Sequence, residues 1–237
     1  MALLKEHLST VTTILNNGIP TDDYQFSDQQ IYFLLKSVRA ALLKQRIDNG
    51  KYISPFNYQT IPCFKLQLAK IEDCECYTAD CYSLQSICTI PSIIASNKGL
   101  IVDGVYTINT NKPTRLAPLT FDEYRLSQYS KTMKDVKGYF IVSDKLHVVG
   151  YDRLAAVKVR ALFDDPVEVL TQTPSCACND DGSALCLDPY EVEFPLDSDL
   201  SKALWSMTYD EILRVSNKMM SDLKNDAKPA YAQVDKK

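Results

Sequence analysis

The stretch Phe26-Ser-Asp-Gln-Gln-Ile-Tyr-Phe-Leu-Leu-Lys-Ser-Val-Arg-Ala-Ala-Leu-Leu-Lys44 fixes how this chain begins to fold. Ser27 has the side chain of an N-cap, and Gln30, three residues on, can return the hydrogen bond of a capping box. Phe26 and Ile31 flank that box as a hydrophobic staple. Ile31, Leu35, Val38 and Leu42 then recur at helical spacing, with Leu34 widening the stripe, so a helix is predicted over 28–48, ended by Asn49-Gly50. Toward the N-terminus, Leu4, Leu8, Val11 and Leu15 predict a helix over 2–16. Asn16-Asn17-Gly18 would be its left-handed cap, and Pro20 would block an early restart.

From about 60 to 165 the apolar period shortens from 3.6 residues to 2. Phe64, Leu66 and Leu68 alternate with polar neighbours, and 84–90 reads as a second strand stopped by Pro91. Asp103-Gly104 between 100–102 and 105–108 predicts a two-residue hairpin, and 139–149 predicts another around Ser143-Asp144-Lys145. Between them, Thr120 and Glu123 cap a short helix to about 128. Alternation resumes over 154–163 and breaks at Asp164-Asp165-Pro166. Residues 171–189 read as a loop. Helical rhythm returns at Leu200, Ala203 and Leu204. A second capping box at Thr208 and Glu211, with a Met207–Ile212 staple, predicts a separate last helix to about 224, burying Ile212, Val215, Met219 and Leu223.

Helices, then strands, then helices predict an α+β fold. The N- and C-terminal helices (1–58 and 196–224) would form one helical bundle, with an antiparallel β-rich domain (59–195) inserted. Residues 225–237 read as a polar tail, extended or disordered until assembled. The alternative packing is a helical hairpin followed by an independent β-rich domain.

With 46% apolar and 24% charged residues, the 237-residue chain has an ordinary globular composition. A net charge of −4 argues against general nucleic-acid binding, which needs a surplus of Lys and Arg. Mild acidity would suit a wall past which DNA slides. No apolar run approaches the roughly 20 residues that span a bilayer, and Met1-Ala-Leu-Leu-Lys-Glu-His lacks the apolar core of a signal peptide. The eight cysteines are therefore expected to stay reduced.

Cys74, Cys76, Cys81 and Cys88 cluster in one region, and Cys176, Cys178 and Cys186 in another. Zinc is usually held through C-x₂₋₄-C pairs, whereas Cys74/Cys76 and Cys176/Cys178 are spaced C-x-C. These four are the metal-ligand candidates, against packing thiols or a disulfide. They also carry the alternative function, a metal-binding regulator or metalloenzyme. His7 and His147 are the only histidines, and neither sits in a motif that presents it as a catalytic base. Glu72-Asp73, Asp164-Asp165 and Asp180-Asp181 read as turn and cap residues. There is no P-loop, dinucleotide fingerprint or kinase signature, so no catalytic residue and no cofactor is expected. Fourteen tyrosines, among them Tyr77, Tyr82, Tyr106, Tyr124, Tyr129, Tyr139, Tyr151 and Tyr190, point to subunit contacts, although tyrosine also favours strands.

Several of these elements resemble one family. The Ser27–Lys44 helix is similar to the start of head–tail connector proteins of short-tailed phages, and most closely to tail-barrel ring proteins of crAss-like phages. The same resemblance covers Cys74–Cys88 leading into Ile90-Pro91, the Val159-Arg-Ala-Leu-Phe-Asp-Asp-Pro166 element, and the close of the last helix at Asp222-Leu-Lys-Asn225-Asp226-Ala. It implies a non-catalytic virion protein, assembled in the host bacterial cytoplasm as a ring of about twelve copies below the portal. Such a ring extends the DNA channel and supports the next ring or the fibres. It also implies a C-terminal segment that reaches the portal or a neighbour, which makes Asn225, Lys228, Pro229, Tyr231 and Lys236 the interface candidates.

Overall fold

The computed structural model describes residues 2–16, 26–70, 82–108, 113–129, 136–151, 153–171 and 188–226. Within them the fold is mixed α and β, with five α-helices beside one large, nearly closed sheet.

Helix α1 (Leu4–Leu15) buries Leu4, His7, Leu8 and Val11. Helix α2 (Asp28–Asp48) starts as its sequence dictates. The Gln30 amide donates to Ser27 Oγ at 3.3 Å, and the Ser27 amide donates to Gln30 Oε1 at 2.9 Å. Its end is a Schellman motif: Gly50, at φ +68°, donates to the Ile47 carbonyl and Lys51 to the Arg46 carbonyl. The cap expected at Asn17-Gly18 lies outside the described residues.

The sheet runs in the order β5 (Val102–Thr107), β9 (Ala156–Ala161), β1 (Gln59–Lys70), β2 (Tyr82–Ser86), β8 (Lys145–Val149), β7 (Gly138–Val142), β6 (Ala117–Pro118). All neighbours are antiparallel except β6 and β7. Residues 114–116 hydrogen-bond β5 at one end of this order, through Leu116 N–H to the Val105 carbonyl and Thr107 N–H to the Thr114 carbonyl. The next two residues, β6, pair with β7 at the other end. One segment thus touches both edge strands and curls the sheet almost shut. A bulge in β1 between Ile61 and Phe64 changes the alternation, so that both residues face the interior. Pro62, which cannot donate to a ladder, sits in that bulge.

The hairpin at 139–149 forms as predicted, with Ser143 and Asp144 at φ +50° and +57° as its two-residue turn. The hairpin predicted at Asp103-Gly104 does not. Strand β5 runs straight through those residues beside β9, and a register shift between Val102 and Gly104 absorbs them as a bulge. The chain reverses earlier, at Asn97-Lys98, between β3 (Ala95–Ser96) and β4 (Gly99–Leu100). At Gly104 the Tyr106 ring lies close over the backbone: a Cβ there would meet it at 2.8 Å, so a larger residue would have to turn that ring aside. The second strand also ends early, at Ser86, and the Ile90 amide bonds the Asp144 carbonyl in the turn.

Helix α3 (Phe121–Tyr129) carries the expected Thr120–Glu123 box and packs Tyr124 on Phe140 and Val149 outside the barrel. Helix α4 (Glu168–Thr171) is one turn. Helix α5 is continuous from Ser198 to Asp226, so the second capping box predicted at Thr208 is a misreading. Thr208 is fully buried in mid-helix, on the same stripe as Leu204 and Ile212. No Gly or Pro interrupts 198–212, so a helix already under way has no reason to restart. Val215 is half-buried, and the side chains of Met219 and Leu223 lie outside the described set.

Two apolar cores result. The barrel interior holds Ile61, Phe64, Leu84, Leu146, Val157 and Val159 among others. The second core joins residues of α1, α2 and α5 with Ile94, Leu162, Phe194 and Leu196.

Candidate assembly surfaces

Strand β1 is longer than the barrel. Its pairing with β9 ends at Lys65, whereas its pairing with β2 continues to Lys70 opposite Tyr82. Leu84 and Gln85 still pair with β8 on the other side, so only the end of the pair, 68–70 with 82–83, forms a two-stranded ribbon past the rim. Alternation places Leu66, Leu68, Leu84 and Tyr82 on one face. Leu66 and Leu84 are buried inside the barrel, while Leu68 is 70% exposed and Tyr82 52% exposed. The interior stripe thus runs on into solvent. A cleft of about 610 Å³ there is lined by aliphatic residues such as Leu68, Leu84 and Val148 and by the hydroxyl-bearing Tyr82, Ser127 and Tyr151.

A second exposed patch lies where α2 hands over to β1. Tyr52 is 73% and Phe56 64% exposed. The segment carrying them is held firmly. Arg46 Nε donates to the Tyr52 carbonyl at 2.9 Å, Arg160 Nη2 donates to the Pro55 carbonyl at 2.9 Å, and Ser54 caps the 3₁₀ turn Pro55–Asn57.

Between barrel and helices lies a polar junction. Arg39 of α2 is fully buried. Its Nε donates to the Pro195 carbonyl at 2.9 Å, its Nη1 donates to the Phe163 carbonyl at 2.7 Å, and its guanidinium lies over the Phe194 ring. Burial lowers its pKa to about 10, which leaves it charged at neutral pH. Beside it, Tyr32 Oη and Lys36 Nζ both donate to Asp165, the latter at 2.7 Å. Burial pulls the Asp165 carboxyl upward, yet those hydrogen bonds outweigh it and hold the group below its ordinary value. Tyr32 is raised, by burial first and then by its bond to Asp165. Asn57 and Asp197 exchange two hydrogen bonds, at 2.8 and 3.0 Å. No sequence motif announces Arg39 as buried; only its place on the stripe between Val38 and Leu42 hints at it.

Both histidines are buried and serve packing. His7 Nδ1 accepts from Trp205 Nε1 at 3.0 Å and binds α1 to α5. His147 stacks flat on Phe140 and shares a 2.8 Å hydrogen bond with Ser83. Among the described residues no three His, Cys, Asp or Glu side chains cluster as a metal site, and no helix is long and apolar enough to cross a membrane. Cys74, Cys76, Cys176 and Cys178 lie outside the described residues, as do Lys228, Pro229, Tyr231 and Lys236. Asn225 falls in the last turn of α5. Of the named tyrosines, Tyr82 is exposed, whereas Tyr124 and Tyr139 are buried and belong to the two clusters of the barrel. Tyr52 was not among them.

A family model described as phage tail ring protein 2 matches residues 7–236. No curated protein matches the chain. The chain belongs to the crAss-like phage tail ring protein family, whose name makes it a structural ring component of the phage tail.

Proposed function

We propose that this chain forms a closed ring of roughly twelve copies below the portal, where it joins capsid to tail and extends the DNA channel. The observation that carries the reading is the family match over nearly the whole chain. Exposed apolar side chains at well-separated places, among them Leu68 with Tyr82 and Tyr52 with Phe56, support it, because a subunit in a cyclic, head-to-tail ring needs two different contact surfaces. The helices of 1–58 and 196–224 act as one bundle and 59–195 as the inserted β domain, in keeping with the two distinct cores. Its partners are its own copies, the portal and the adjoining ring or fibre proteins, with genomic DNA in transit; assembly takes place in the host cytoplasm. The segment 225–237 orders on the portal or a neighbouring subunit.

Native mass spectrometry and cryo-electron microscopy of the purified chain, alone and with its portal, test this. A ring that docks on the portal is expected. A chain that stays monomeric in both conditions refutes the ring, and unchanged portal binding after removal of 225–237 refutes the role of that segment.

A further inference from the structure

We infer that the ring is closed by the ribbon of one copy receiving the 51–58 segment of the next, with Tyr52 and Phe56 covering Leu68 and Tyr82. The inference rests on the ring reading above and adds the surfaces that meet. It starts from strand β1. Phe56 lies three residues before its first residue, and Leu68 lies near its far end. At about 3.3 Å per residue, the nine steps from Gln59 to Leu68 separate the two patches by about 30 Å. Two unlike apolar patches at opposite ends of one strand cannot meet within one subunit. They can meet between subunits, and a contact of unlike patches repeated by rotation closes into a ring.

The chemistry of the two surfaces also fits. The rim cleft is lined by both aliphatic and hydroxyl-bearing residues, a mixed lining that suits an aromatic ring with a polar tip such as Tyr52. The segment that would enter is already fixed by the Arg46, Arg160 and Ser54 hydrogen bonds, so little conformational freedom is lost on docking. On the receiving side, among the described residues, the edge of β1 away from β2 makes one backbone bond beyond Lys65, from the Leu66 amide to the Ala155 carbonyl, and none from Gln67 to Lys70. The ribbon thus also offers an open backbone edge.

Two double variants of the full chain test the contact. One carries Leu68→Asp with Tyr82→Ser, and the other Tyr52→Ser with Phe56→Asp. All four side chains are exposed, so each variant should keep the wild-type circular dichroism spectrum and melting temperature. Each should lose ring formation by mass photometry, with association weakened about tenfold or more. Mixed together they should pair, because each retains the surface the other lacks, and the pairs should not close into rings. As a second measurement, a benzoylphenylalanine at position 82 of an otherwise wild-type chain should photo-crosslink to residues 51–58 of another copy. Rings that survive either double variant, variants that fail to pair, or crosslinks mapping elsewhere would overturn this contact and leave the ring reading intact. Wild-type chain that forms no ring, alone or with portal, would remove the ring reading and this contact with it.

Discussion

The barrel core and the helix-side core differ in how far along the chain their residues are gathered. Every buried residue of the barrel interior comes from 61–169. The helix-side core draws on residues 4–43, on Ile94 and Leu162, and on 194–212. Strands that are neighbours in the sheet hold the first together through backbone ladders. The second has few such ladders between its distant parts and relies on side chains that cross between them: Arg39 to the Phe163 and Pro195 carbonyls, Asn57 to Asp197, and Arg46 to Asp199 at 2.8 Å. The lesson is that backbone pairing suffices where a core closes locally, and that a core assembled from the two ends of a chain needs polar clasps.

Removing the clasps should therefore hurt more than opening the barrel. Arg39→Ala strands two buried carbonyls and leaves a hole, at a cost of about 4 kcal/mol in urea unfolding. A loss below about 1 kcal/mol would make the clasp incidental. Leu146→Ala empties part of the barrel interior and should cost about 3 kcal/mol, spread over the sheet without loosening α5; hydrogen exchange shows which region opens.

Acid should act on the helix side through His7. Burial lowers its pKa against an opposing pull from Glu6, so the folded state binds its proton less readily than the unfolded chain, whose value is 6.5. The stability this gives is complete above pH 6.5 and is lost as pH falls below it. Protonation also puts a hydrogen on Nδ1, where Trp205 donates. Melting temperature should fall between pH 7 and pH 5, and His7→Gln should flatten that slope.

Of the three T/S-x-x-E/Q sequences read as capping boxes, those at Ser27 and Thr208 give the smallest effects and opposite signs. Ser27→Ala removes a working cap and should cost about 1 kcal/mol. Thr208→Val replaces a fully buried hydroxyl that has no partner among the described residues and should be neutral or gain about 0.5 kcal/mol. A loss of about 1 kcal/mol at Thr208 would restore the capping role that the continuous helix denies it.

These last two positions show what could be read in advance. The Ser27 box was legible because everything it needs lies within five residues. Thr208 offers the same letters, but whether a helix begins there depends on Leu200 and Leu204 having already packed against the other helices. The same contrast separates Ser143-Asp144 from Asp103-Gly104: the first is a turn because β7 and β8 pair across it, the second is a bulge because β9 lies alongside. The assembly surfaces were harder still. Leu68 continues the alternation of Phe64 and Leu66, and its pattern says core; yet the pairing with β9 stops at Lys65 and Leu68 is exposed.

The amino-acid sequence by itself determined the α+β order, the extent of α2, the capped α3 and the 138–149 hairpin, since hydrogen bonds and periodicity within a few residues fix each of them. Tertiary structure alone decided the closure of the sheet, the continuity of α5, the burial of Arg39 and the exposure of the ribbon. Each of those depends on which distant segment lies alongside, and pairing between distant segments leaves no local mark in the residues that take part.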